Sequence, residues 1–198
     1  MTAVASVQHW LQGMVIGLDL CPFAGRVWRD NSIRFVDSTA TSELALLEEL
    51  KEELELLGND PEIETTLLIH PNVLQDFMAF NDFLDSVDAL MEAMKLTGHI
   101  QVASFHPQYR FAGESDDSAS NYTNRSPYPI LHLLREDSVA AAISAHPDAG
   151  QIPANNIAKL EALGLEKIRQ ILDRGAQEAK VPQSPSRSLS HSRNDDER

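Results

Sequence analysis

The sequence predicts one α/β domain, a sandwich in which helices cover a four-stranded, mostly parallel or mixed sheet, preceded by an N-terminal helix. Three observations carry this. Short β-prone runs at 33–37, 63–69 and 100–105 alternate with leucine- or phenylalanine-striped segments at 42–57 and 77–94, and such alternation builds crossovers over a largely parallel sheet, or a split sheet with one antiparallel strand. Two of the runs pass at once into His-Pro, at positions 70 and 106. The 198 residues, 42% hydrophobic and 23% charged, suffice for one substantial core in a soluble globular protein.

In chain order, Val4, Val7, Leu11, Met14 and Leu18 recur at helical spacing, so the first segment is an amphipathic helix ending near Leu20, before CPFAG. Ile33 to Asp37, bounded by Asp30-Asn31 and Ser38-Thr39, is a strand. Thr41 or Ser42 caps a helix through Leu57 with a buried stripe of Leu44, Leu47, Leu50, Leu54 and Leu57, and Gly58-Asn59 ends it. Ile63 to Ile69 is the second strand. Phe77, Phe80, Leu84, Val87, Met91 and Met94 mark a long helix that stops before Gly98, and Ile100 to Phe105 is the third strand. Ile130 to Leu134 supplies the fourth; Pro129 at its start suggests an edge position, since proline lacks a ladder amide. Ser138 to Ala145 and Asn155 to Leu163 read as short helices, and Gly164 to Lys180 as a last, weakly anchored one. VPQSPSRSLSHSRNDDER has no apolar periodicity, so the domain is expected to span residues 1–180 and the tail, 181–198, to be disordered.

A formal net charge of −14 repels phosphate backbones and anionic membrane surfaces, which argues against nucleic-acid and membrane partners. No uninterrupted run of about 18 apolar residues occurs, and residues 1–20 lack the basic start of a secretory leader. The single cysteine, Cys21, rules out an internal disulfide framework and fits a reducing compartment, so a cytoplasmic location is expected. No motif names a cofactor, and nothing in the sequence sets an oligomeric state.

The stretch FHPQYRFAGESDDSASNYTNRSPYPILHLLRE, Phe105 to Glu136, gathers two histidines, three arginines, carboxylates and amides into an irregular segment, where a simple connection needs only turn residues. His70 and His106 follow strands of one sheet, so parallel strands would bring both imidazoles to the carboxyl edge where open α/β sheets place ligands. Either ring could instead close its strand by bonding to backbone. Arg110 could orient a carboxylate or phosphate, Asp116 and Asp117 could act as bases or orienters, and Asn121, Asn124, Arg125 and Ser126 could donate to a polar ligand. The alternative for these groups is a long ordered loop that satisfies its own backbone. Gly113 alone, without a Walker-like lysine, disfavours phosphate cradling, and the absence of tight His or Cys spacing disfavours a metal. His132, flanked by leucines, reads as a core residue, whereas Arg135 is the better ligand candidate.

In LDLCPFAGRVWR, Pro22 can open a helical turn with Cys21 at its N-cap, where the local dipole and Arg26 and Arg29 would lower the thiol pKa. CPFA resembles, over those four residues only, the cysteine-proline-phenylalanine pattern of glutaredoxin-like and omega-class glutathione transferase folds. In those folds a strand precedes the cysteine, whereas here a helix does. The other reading of Cys21 is a small buried hydrophobe.

Taken together, LCPFA, FHPQYRFAG and NRSPYPILHLLRE resemble an uncharacterised bacterial family, domain of unknown function 1415, over about Val7 to Leu163. The resemblance implies a shared fold and a shared site at Cys21, His106, Tyr109, Arg110, Asn124, Arg125, Ser126 and Arg135, but no activity. The leading expectation is a polar pocket for a small anionic metabolite, with Arg110, Arg125 and Arg135 holding the anion, His106 as acid or base and Asp116 or Asp117 as orienter. A non-catalytic ligand-binding or regulatory module and a thiol-dependent enzyme using Cys21 are the alternatives.

Overall fold

The structure, a computed structural model, describes residues 2–146 and 149–178. The boundary expected at 180 and the tail at 181–198 lie outside the described residues. The chain opens with helix α1 (Ala3–Trp10), whose first turn is capped by Thr2 accepting from the Ala5 amide. The helix does not run on regularly to Leu20. Leu11–Ile16 widens into a π-helical turn, and α2 (Ala24–Arg29) follows after a tight reversal.

Next come β1 (Ile33–Asp37), α3 (Glu43–Asn59), β2 (Thr65–Ile69), α4 (Phe77–Ala93) and β3 (Ile100–Phe105). Ser42 and Asp76 cap α3 and α4 by accepting from Ala45 and Ala79 amides. After the long segment come β4 (Ile130–Arg135), α5 (Glu136–Ser144), α6 (Ile152–Leu163) and α7 (Leu165–Glu178).

The sheet order is β1-β2-β4-β3. β1 is parallel to β2, and β4 is antiparallel to both β2 and β3. The sheet is therefore mixed, as the split arrangement requires. β4 is central rather than at an edge: Pro129 lies one residue before the ladder, so no ladder amide is lost, and its carbonyl accepts the His70 amide at 3.1 Å. Period-two alternation then divides the strands between two cores. Leu68, Leu131 and Leu133 pack under α3 and α4 with Leu50, Leu54, Phe80 and Val87. Leu67, Ile69 and Ile130 face α1, the π-turn, α6 and α7, and Leu134 packs with Phe23 and Val27 of the α2 region. The α3 stripe is Leu46, Leu50, Leu54 and Leu57, all buried, whereas Leu44, expected in it, is exposed. Arg34 on β1 grips the buried Glu53 of α3 through Nε at 2.6 Å and Nη2 at 2.9 Å, a paired contact that fixes the helix over the sheet edge.

Gly17 closes the π-turn by donating to the Gln12 carbonyl at 2.9 Å. A Cβ there would stand 2.6 Å from the Gly13 carbonyl oxygen, closer than packing allows. Gly17→Ala is therefore expected to destabilise the fold by about 1–3 kcal/mol, the usual size of a forced backbone shift. Urea unfolding checks this, with Gly58→Ala, where a Cβ meets nothing, as the control.

Candidate functional site

The connection from β3 to β4 starts and ends at one sheet edge, because β4 runs back from the edge that β3 reaches. His70 and His106 emerge there from β2 and β3, and both rings lie against Phe80, with centroids 5.5 and 5.2 Å away. Both histidines are fully buried. His106 Nδ1 accepts the Gln108 amide at 3.0 Å, which puts the ring proton on Nε2, and Nε2 donates to the Leu74 carbonyl at 3.2 Å. His70 Nδ1 pairs with the Val73 carbonyl at 3.1 Å, so it carries the proton, while its Nε2 is buried with no partner among the described residues. Burial pushes the His70 pKa down to about 4, with His106 nearby adding to the shift. Burial also lowers that of His106, against smaller raising contributions from the Leu74 carbonyl and Asp76.

Most of the polar groups in the following loop are bonded to the loop itself. Asn121, wholly buried, accepts the Phe111 amide and donates to the Ser115 carbonyl. Asn124 accepts from the Thr123 hydroxyl, and its carbonyl takes the His106 amide. Ser126 gives its proton to the Tyr128 carbonyl at 2.6 Å. Tyr109 packs between Phe77 and Phe111, and burial raises its pKa. On the exposed rim, Arg110 pairs with Asp116 at 2.9 Å and Asp117 with Arg169 at 3.6 Å. Arg135 is not brought to this place. It lies at the other sheet edge, where Nε and Nη2 donate to the carbonyls of Ile63, Leu57 and Asp60 and close the C-terminus of α3. The expected three-arginine cluster is therefore not formed.

Arg125 is placed differently. Its guanidinium lies 4.9 Å over the Tyr122 ring, Nε donates to the Tyr109 carbonyl at 2.9 Å and Nη2 to the Asp116 carbonyl at 2.8 Å. Nη1 makes no hydrogen bond among the described residues. The side chain lines a cleft of about 320 Å³ between the loop, α1 and α7, together with Ser6, His9, Trp10, Tyr122 and Ser126. Trp10 is buried, and its indole N–H has no acceptor among the described residues.

A second cavity, of about 230 Å³, lies on the same face of the sheet and shares Trp10 as a wall. It brings Cys21 together with His132, Thr65 and Gln101 in an otherwise apolar lining. Cys21 is on the face opposite the Phe77–Phe80 cluster that holds His106. It is also not the N-cap of α2, a position that Phe23 occupies. Burial raises the thiol pKa, and the amides of Phe23 and Ala24, which lower it, do not offset that. Burial pushes the His132 pKa down to about 4. The histidine read as a plain core residue thus faces a cavity, and His9 and Trp10 of the cleft carried no distinguishing signal beyond lying with Ser6 at spacings of three and four on one helix face.

Fold and site together define an α/β sandwich with a mixed-polarity cleft and an apolar cavity on one sheet face. The chain belongs to the family described as "Protein of unknown function (DUF1415)", whose model matches residues 2–170. No curated protein and no solved structure matches it. The matched segment includes every site residue named above.

Two outcomes follow from the buried groups. Between pH about 6.5 and about 4 the unfolded chain takes protons at His70 and His132 and the folded chain does not, so stability is whole above pH about 6.5 and falls as pH drops toward about 4. Each ring should remove up to about 3 kcal/mol across that window, and urea unfolding at pH 7.5, 6 and 5 should show the decline before most carboxylates titrate. Cys21 should react slowly with iodoacetamide at pH 7 in the native protein and quickly in denaturant. Rapid native alkylation would restore the reactive-thiol reading.

Proposed function

We propose that this protein binds a small anionic metabolite in the cleft at Arg125, and that the role is recognition rather than turnover. The carrying observation is the guanidinium of Arg125: stacked on Tyr122 and anchored through Nε and Nη2 to two loop carbonyls, it holds Nη1 uncommitted at the cleft wall. A guanidinium fixed in this way binds a carboxylate or phosphate with little further ordering cost. His9 beside it offers a second donor, while Met14, Pro107, Pro127 and Leu172 suit an apolar body attached to the anion. This fits a ligand of mixed character better than a bare inorganic ion. Binding is preferred over catalysis because the proposed acid or base, His106, has both nitrogens bonded to backbone, and among the described residues no carboxylate lines the cleft beside His9.

Thermal shift with a panel of small phosphates, carboxylates and nucleotides tests the reading on wild type, Arg125→Lys and Arg110→Lys. A ligand that raises the wild-type melting temperature should lose most of its effect in Arg125→Lys, corresponding to roughly tenfold weaker binding, because a lysine cannot hold both loop carbonyls and still keep a fixed donor at the cleft wall. It should keep its effect in Arg110→Lys, whose partner is the exposed Asp116. An equal shift in Arg125→Lys and wild type would remove Arg125 from the binding site and leave it as a loop brace.

A further inference from the structure

The apolar cavity carries a hydrogen-bond chain that specifies what it can recognise. Thr65 donates its one hydroxyl proton to the Leu133 carbonyl at 2.6 Å, so toward His132 Nε2, 2.8 Å away, it can only accept. The ring proton of the neutral imidazole is therefore on Nε2, and Nδ1 is left as a bare acceptor with no partner among the described residues. Protein surrounds this ring, yet it keeps accessible surface, and it lines the cavity, so that surface is the cavity's own.

Around it the walls are apolar, among them Trp10, Leu11, Phe23, Leu67, Phe105 and Leu134, and among the described residues no charged side chain lines the space. A void of about 230 Å³ is large for a close-packed interior, and an apolar cavity of about 150 Å³ is enough for benzene. Leu11 and Val15, from the π-helical turn, form part of the wall, and such turns recur beside binding sites. Exposure rises toward the edge strand β3, from buried Leu67 through half-buried Ala103 to exposed Gln101, which places the mouth at that edge.

We propose that this cavity is a binding site for a small, mainly apolar, uncharged molecule carrying one hydrogen-bond donor, about the size of phenol, with His132 Nδ1 as the acceptor. The site is separate from the Arg125 cleft: the described residues of its lining carry no charge to hold the anions that the cleft would take, and failure of either proposal leaves the other standing.

Phenol and toluene, which differ by a hydroxyl in place of a methyl, are the probes. Both should raise the melting temperature saturably, and phenol alone should shift the Nδ1 nitrogen resonance of His132 in ¹⁵N-labelled wild-type protein. In His132→Leu, phenol should weaken about tenfold relative to toluene, the size of one lost hydrogen bond. The resonance is read on wild type, so it decides even if the variant folds poorly. The proposal is overturned if phenol shows no saturable binding, if bound phenol leaves Nδ1 unmoved, or if the phenol-to-toluene ratio is the same in a folded His132→Leu.

Discussion

The insertion of β4 between β2 and β3 is the constraint on which the remaining structure depends. A strand in that position is hydrogen-bonded on both sides and must bury both faces, which Ile130, Leu131, Leu133 and Leu134 do. Because β4 is antiparallel to β3, the chain between them returns to the edge it left and never crosses the sheet. Some two dozen residues must then be accommodated at one edge, and their backbone amides and carbonyls need partners there. The density of Asn, Ser, Thr and Arg in that segment is the chemical consequence.

The His-Pro pairs belong to the same construction. His106, at the end of β3, reaches across to the Leu74 carbonyl, and His70, at the end of β2, reaches the Val73 carbonyl. Both therefore tie down the loop that precedes α4, where Leu74 holds a positive φ of 56°. Phe80 from the second turn of α4 fills the space between the two imidazoles. A neutral ring can donate to a carbonyl inside an apolar cluster where a charged group would cost far more to bury, so the depressed pKa values are a result of this bracing role.

Much of the fold was legible in the sequence because periodicity reports burial directly. The runs at 33–37 and 100–105 coincide with β1 and β3, α3 begins at Ser42, one of its two expected caps, and α4 begins at Phe77, the first residue of its expected stripe. The central position of β4 was not legible, since a proline immediately before a ladder looks the same in sequence as one within it. Neither was the π-turn, which keeps the apolar spacing of a helix while widening it over six residues. At the site, the location of the irregular segment could be read, but the destination of each side chain could not. Arg110, Arg125 and Arg135 are equivalent by residue type, yet one pairs on the surface, one lines a cleft and one closes a helix at the far sheet edge.

That difference follows from what each kind of residue must satisfy. A loop with many buried amides and carbonyls recruits polar side chains whether or not any ligand binds, so clustered polar groups measure the backbone's demand before they measure chemistry. A cavity inverts the signal. Its walls come from ordinary apolar positions on strands and helices, and recognition falls to the few polar atoms left over once the internal bonds are made. Thr65 and His132 lie in strands that read as core, and only the direction of the Thr65 proton decides which imidazole nitrogen is free. Arg125 keeps one nitrogen uncommitted for the same reason, two loop carbonyls having taken the others. In this protein the groups able to meet a ligand are those the fold leaves unbonded, and they are fewer than, and partly different from, the groups that make the sequence look reactive.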